Sequence, residues 1–203
     1  MARISGFLVD FKPSFLVDMR KMLHGYLDRR QILQGALAVA ASPAAVPLAL
    51  AQGLTGPAYE VSKWAGPVSS LGLLDTTGKT WQAADLQGRA VLLNFWASWC
   101  EPCRAEMPTL QQAGDLYGPE KLLVLAINFK ESAPRALQFA KTTGLSLPVL
   151  LDSGGKIAGQ WGVKVFPTTL MIDSKGRPQL RVKGEVDWTS PAAGKLIEGL
   201  LKA

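Results

Sequence analysis

The sequence predicts an α/β domain built on one central mixed β-sheet flanked by helices, with an extra N-terminal β-hairpin. Three observations lead there. Ala90 to Ala97 and Leu122 to Ile127 are short, almost wholly apolar runs, as expected of strands buried on both faces of a sheet. Segments with helical spacing alternate with such runs, so helices connect successive strands. After an apolar run at Thr168 to Ile172, the turn Asp173-Ser174-Lys175-Gly176 leads straight into Leu180 to Val182. That hairpin adds an antiparallel strand and makes the sheet mixed.

The elements can be justified in order. Residues 1–51 read as an export leader: a charged, irregular start is followed by the alanine-rich apolar stretch Gln31 to Ala51, interrupted by Pro43 and Pro47. Arg29-Arg30-Gln31-Ile32-Leu33-Gln34 resembles the twin-arginine export signal, and Ala49-Leu50-Ala51 offers small residues to an export peptidase, which places cleavage after Ala51. The alternative is an uncleaved membrane anchor, and Met19 or Met22 could be the true start. Residues 52–67, with Gly53, Gly56, Pro57, Gly66 and Pro67, read as a linker, so the domain is expected over 68–203. Val68 to Leu74 and Lys79 to Trp81 around Asp75-Thr76-Thr77-Gly78 form the N-terminal hairpin. After the strand at Ala90 to Ala97, Met107, Leu110 and Tyr117 share one helix face, with a kink expected at Pro108. Beyond Leu122 to Ile127, Ser132 caps a second helix that Gly144 ends, and Val149 to Leu151 is a short third strand. Lys156 to Trp161 is a short helix. Ser190 and Pro191 open the last one, where Leu196 with Leu200 and Ile197 with Leu201 stand at i,i+4 spacing.

Composition narrows the chemistry. With 203 residues, 48% hydrophobic and 19% charged, the chain has room for one well-packed core, not two. The net charge of +6 is partly the leader's: residues 1–51 carry six Lys/Arg against three Asp/Glu, leaving sixteen against thirteen. No basic cluster interleaved with aromatics occurs, which argues against nucleic acid as a partner. The only histidine, His24, lies in the leader, and both cysteines lie in one motif. A structural zinc site needs four such ligands, so no metal is expected.

The motif is Asn94-Phe95-Trp96-Ala97-Ser98-Trp99-Cys100-Glu101-Pro102-Cys103, where a buried-strand pattern runs into a dithiol that opens a helix. Together with Glu106-Met107-Pro108 and Val163-Lys164-Val165-Phe166-Pro167-Thr168-Thr169, it makes the chain from Val68 to Ala203 resemble the thioredoxin-like fold, specifically the exported TlpA/ResA branch. The resemblance implies a thiol-disulfide oxidoreductase working through a redox-active Cys100–Cys103 disulfide and no bound cofactor. Cys100, at the helix start, is the expected nucleophile, because unpaired N–H groups and the positive dipole end favour its thiolate. Cys103, one turn on and more buried, resolves the mixed disulfide. Thioredoxins proper have a buried aspartate where this chain has Asn94, which takes up no proton. Glu106 is therefore assigned as the general acid/base, with a raised pKa if desolvated; the alternative is an ordinary exposed helix glutamate.

The remaining site residues are expected to contact substrate. Glu101 and Pro102 fill the spacer, and Pro102 suits an early helical position. By resemblance, the Phe166–Pro167 bond is cis and its loop presents the Phe166 backbone to an extended substrate segment. Trp99 is expected to be partly exposed and substrate-facing, while Trp96 packs in the core and Trp64, Trp81, Trp161 and Trp188 serve packing.

The expected function is that of a periplasmic, monomeric reductase of protein disulfides. Family precedent suggests apocytochrome c or copper-site cysteines as substrates, and a membrane electron donor of the DsbD/CcdA type as the source of electrons. A disulfide oxidase or isomerase, or a non-catalytic copper-delivery module, are the alternatives.

Overall fold

The computed structural model describes residues 58–203. The leader, its cleavage after Ala51, the anchor alternative, the internal starts and the first part of the linker lie outside the described residues. The chain divides into Met1–Leu50 and Ala51–Ala203, and every described residue belongs to the second unit. Among the described residues no helix is long and apolar enough to cross a membrane.

Among the described residues, eight strands and four α-helices follow one another, with a short 3-10 helix at Ala83–Leu86: β1 Tyr59–Lys63, β2 Gly72–Leu74, β3 Thr80–Gln82, β4 Ala90–Trp96, α1 Glu101–Tyr117, β5 Leu122–Phe129, α2 Ala133–Thr143, β6 Val149–Asp152, α3 Lys156–Gln160, β7 Thr168–Ile172, β8 Pro178–Gly184 and α4 Pro191–Leu201. The main sheet has the order β1-β8-β7-β4-β5-β6, while β2 and β3 pair separately. β4, β5 and β6 are mutually parallel; β7 and β8 run antiparallel to their neighbours. The sheet is mixed, as expected.

Alternation along β4 builds two cores. Leu92 and Trp96 point to the face covered by α1, α2 and α4, where Met107, Leu110, Phe139, Ile197 and Leu200 are buried. Val91, Leu93 and Phe95 point to the other face, covered by α3 and the β2–β3 hairpin through Leu73, Trp81 and Ile157. Burial on both faces is why β4 carries no polar stripe. Its one interior polar residue, Asn94, falls on the α1 side. The hairpin turn is built on Asp75, whose Oδ1 accepts from the Thr77 and Lys79 N–H groups and whose Oδ2 accepts from the Trp81 indole at 2.9 Å. Thr76 N–H donates to the Val149 carbonyl at 2.9 Å and ties the turn to the sheet edge.

The linker reading needs correction at one place. Tyr59–Lys63 is not linker but an edge strand, paired antiparallel with β8 from Tyr59↔Gly184 to Lys63↔Leu180; the folded domain therefore starts before Val68. Its signal is weak because it is short, its partner lies about 120 residues away in the chain, and edge residues such as Glu60 and Lys63 stay exposed. Gly184 makes this pairing possible. Its φ is +98°, and a Cβ there would collide with the Ala58 carbonyl oxygen. Gly184→Ala is expected to detach β1 and destabilise the domain by at least about 1 kcal/mol. Hydrogen exchange would show protection lost at β1 amides and kept in β4.

Helix ends follow the sequence closely. Ser190 Oγ accepts the Ala193 N–H at 3.3 Å, and Gly144, at φ +68°, terminates α2. Ser132 occupies the N-cap position of α2, but its hydroxyl makes no capping hydrogen bond. α1 continues unbroken through Pro108, which removes only the N–H that would have bonded the Arg104 carbonyl.

Candidate active site

The dithiol stands where β4 ends and α1 begins. Cys100 N–H donates to the Ala97 carbonyl at 3.1 Å, closing a turn over Ala97-Ser98-Trp99-Cys100. Cys100 is then the N-cap of α1, and its Sγ accepts the Cys103 N–H at 3.3 Å. An amide that donates to this sulfur also stabilises its thiolate. The two cysteines form a disulfide, S–S 2.06 Å. Cys100 retains 6% exposure and Cys103 none, so only Cys100 can meet a substrate sulfur directly. Pro102 sits in the first turn, where a missing N–H costs nothing.

Glu106 lies one turn beyond Cys103 and is 1% exposed, so it is not an ordinary helix-surface glutamate. Asn94 Nδ2 donates to its Oε1 at 2.6 Å, and the Val186 N–H donates to its Oε2 at 3.1 Å. Asn94 Nδ2 also donates to Thr169 Oγ1 at 3.0 Å, across the β4–β7 register that pairs those two residues. Burial pushes the Glu106 carboxyl up to about 7, partly offset by the Val186 and Asn94 donors. A carboxyl near 7 exchanges protons readily at neutral pH in either direction. Asn94, which cannot itself titrate, thus orients the Glu106 carboxyl.

An apolar surface borders Cys100. Trp99 is 61% exposed and meets Phe166 edge to face, ring centroids 6.0 Å apart. Phe166 in turn contacts Phe129, centroids 4.7 Å apart. These rings bring together the ends of the β4–α1 turn, β5 and the loop before β7. The Phe166–Pro167 peptide is cis. The Pro167 carbonyl accepts the Gly184 N–H at 3.0 Å, and Thr168 Oγ1 donates to the Val165 carbonyl at 2.9 Å, which fixes the loop from both sides. Val165, half exposed, extends the apolar surface. Glu101 is the outlier among the expected contacts: exposed and paired loosely with Arg104 at 3.7 Å, it forms a surface ion pair of little energetic weight.

The fold and these geometries agree with comparisons to known proteins. The model of the AhpC/TSA family matches residues 65–179, more than half of the chain. The chain belongs to this thioredoxin-like family. Within it, the chain is similar to the thiol-disulfide oxidoreductase ResA of Bacillus thuringiensis (strain Al Hakam), 36% identical over 128 residues, which span 63% of this chain and 70% of that protein. Among solved structures, a DsbF homologue from Corynebacterium diphtheriae superposes with a TM-score of 0.60 at 31% identity, covering 73% of this chain and 96% of the other. A secreted thiol-disulfide isomerase from Corynebacterium glutamicum superposes with a TM-score of 0.61 at 27% identity, covering 74% and 96%. This AhpC/TSA-family chain is a thiol-disulfide oxidoreductase with its cysteine pair at Cys100 and Cys103.

One buried carboxylate of this family member escaped sequence reasoning. Glu131, just past β5, accepts from the Ser98 N–H at 2.8 Å, Ser98 Oγ at 2.6 Å, Asn128 Nδ2 at 2.7 Å and Arg135 Nε at 2.8 Å. Burial alone would raise its pKa, but the Ser98, Asn128 and Arg135 hydrogen bonds outweigh burial and hold it below its ordinary value. A signal did exist: β4 and β5 are parallel with Trp96 opposite Asn128, so residues just beyond the two strand ends must lie side by side.

Proposed function

We propose that this oxidoreductase is a periplasmic reductase of protein disulfides that works with the Cys100–Cys103 dithiol and no bound cofactor. The Cys100 thiolate attacks one sulfur of a substrate disulfide; a Cys100–substrate disulfide forms, and the other substrate sulfur leaves as a thiolate that takes a proton. Cys103 then yields its proton to the Glu106 carboxylate and attacks Cys100 Sγ. The intramolecular disulfide closes, and the second substrate sulfur leaves as a thiolate that is protonated as Glu106 gives up the proton it took. Two electrons pass from the dithiol to the substrate, with one proton from Cys103 and one from solvent.

The observation that carries the direction is the charge around the dithiol. Beside it on α1 stand Glu101 and Glu106; Arg104 of that helix pairs with Glu101 and Arg135, near Ser98, pairs with Glu131. A strong oxidant is one whose reduced, thiolate form is stabilised; carboxylates do the reverse. The substrate class we propose is a cysteine pair in an extended protein segment, that of an apocytochrome c or of a copper site, laid on Trp99, Phe166 and Pro167. Re-reduction falls to a membrane donor of the DsbD/CcdA type, consistent with the twin-arginine pattern of the leader. The reduction potential tests the direction: a value near or below about −200 mV is expected, and one near about −120 mV would make the protein an oxidase.

A further inference from the structure

We propose that Glu131 is a positioning residue for the dithiol: it fixes the turn that sets Cys100 at the helix start and Trp99 in solvent. Four donors converge on its two oxygens, two from Ser98, the second residue of the Ala97–Cys100 turn. Arg135 Nε donates to Ser98 Oγ as well, at 2.9 Å, so Ser98 is held from two sides. The chain leaves β5 in an unusual way to bring the carboxylate inward. Lys130 adopts a left-handed φ of 54°, and its N–H donates to the Asp152 carbonyl at 3.0 Å. Side-chain-bearing residues seldom take that conformation unless their surroundings require it. The same segment carries Phe129, which packs on Phe166, so Glu131 couples the nucleophile's turn to the aromatic surface beside it.

Chemistry explains why a carboxylate is required. All four partners donate, and only an ionised carboxylate offers acceptors on both oxygens. Glutamine keeps the shape but turns an NH2 group toward either Ser98 N–H and Asn128 or Ser98 Oγ and Arg135. Donor then faces donor at Ser98 N–H and Asn128 in one orientation and at Arg135 in the other, where only the Ser98 hydroxyl can turn to accept, and a clash of this kind opens the turn.

The consequence can be separated from mere charge, provided that Cys100 is the attacking thiol, as the proposed function holds. In the reduced protein, the pH dependence of Cys100 alkylation by iodoacetamide reads its thiolate. Removing a nearby negative charge would lower that midpoint; loosening the turn, and with it the Cys103 N–H bond to Cys100 Sγ, raises it. The other charged groups, Glu101, Arg104 and Glu106 on α1, Arg135 on α2 beside Ser98, and Glu185, which acts on Glu106, are common to all variants. Glu131→Gln is expected to raise the midpoint by about one unit, a roughly tenfold slower alkylation below it, and to lower kcat of disulfide reduction by about 100-fold with little change in KM. Ser98→Ala keeps the charge and removes one donor, and is expected to move both quantities the same way by a smaller factor, about threefold. An unchanged or lowered midpoint in a folded Glu131→Gln protein overturns the inference. Wild-type behaviour of Ser98→Ala overturns it as well, even if Glu131→Gln fails to fold. If wild-type Cys103 is alkylated before Cys100, the proposed function fails instead.

Discussion

Cys103→Ser is expected to end multiple turnover and to leave the protein covalently joined to its substrate. Cys100 still attacks, but the buried group one turn away has no sulfur with which to release the mixed disulfide. With an insulin or model-peptide disulfide as substrate, a higher-mass species should accumulate and collapse on reduction. Cys100→Ser should give no adduct, because its remaining thiol is fully buried. Should Cys100→Ser form the adduct and Cys103→Ser turn over normally, the two roles are reversed. Applied to a cell extract, the same trap distinguishes apocytochrome from copper-site substrates.

Glu106→Gln is expected to act on rate and on stability in opposite senses. The carboxylate proposed to receive the Cys103 proton is lost, so exchange is expected to slow by about 100-fold, within the range of general acid–base catalysis. The rate midpoint near 7 should vanish with it. For stability, the folded value of about 7 lies above the ordinary 4.5, so the native state binds the extra proton. Its stabilising share is whole below the ordinary value and is lost as pH rises through about 7. At 1.36 kcal/mol per unit, wild-type stability should fall by roughly 2–3 kcal/mol between pH 5 and 8, whereas the glutamine variant stays nearly flat. Asp75, Glu131 and Asp173, all held below their ordinary values, lose their contributions only at more acidic pH and leave that window clear. Denaturation midpoints across the window measure this slope, and an unchanged pH–rate profile in the variant would remove Glu106 from the mechanism.

What could be read from residues alone followed from local rules. β4 and β5 announce themselves because burial on both faces leaves an uninterrupted apolar run, and α4 because Ser190 and its i,i+4 leucines obey capping and spacing. β1 escaped because an edge strand of five residues carries little pattern and its partner is remote. Glu131 escaped for the same reason at the site: it meets Ser98 across 33 residues, a meeting that follows only from the parallel pairing of β4 with β5.

By itself the sequence determined the fold class, the place of the dithiol at a helix start, and the presence of a carboxylate within reach on the same helix. These depend on helix dipole, spacing and composition, which act over a few residues. Only the tertiary structure decided that Glu106 is buried rather than solvated, that Asn94 and Val186 donate to its two oxygens, and that Glu131 accepts from Ser98 in the turn before Cys100. Each of those is a matter of desolvation and hydrogen bonding between segments far apart in the chain, which exist only once β4, β5 and β7 lie side by side.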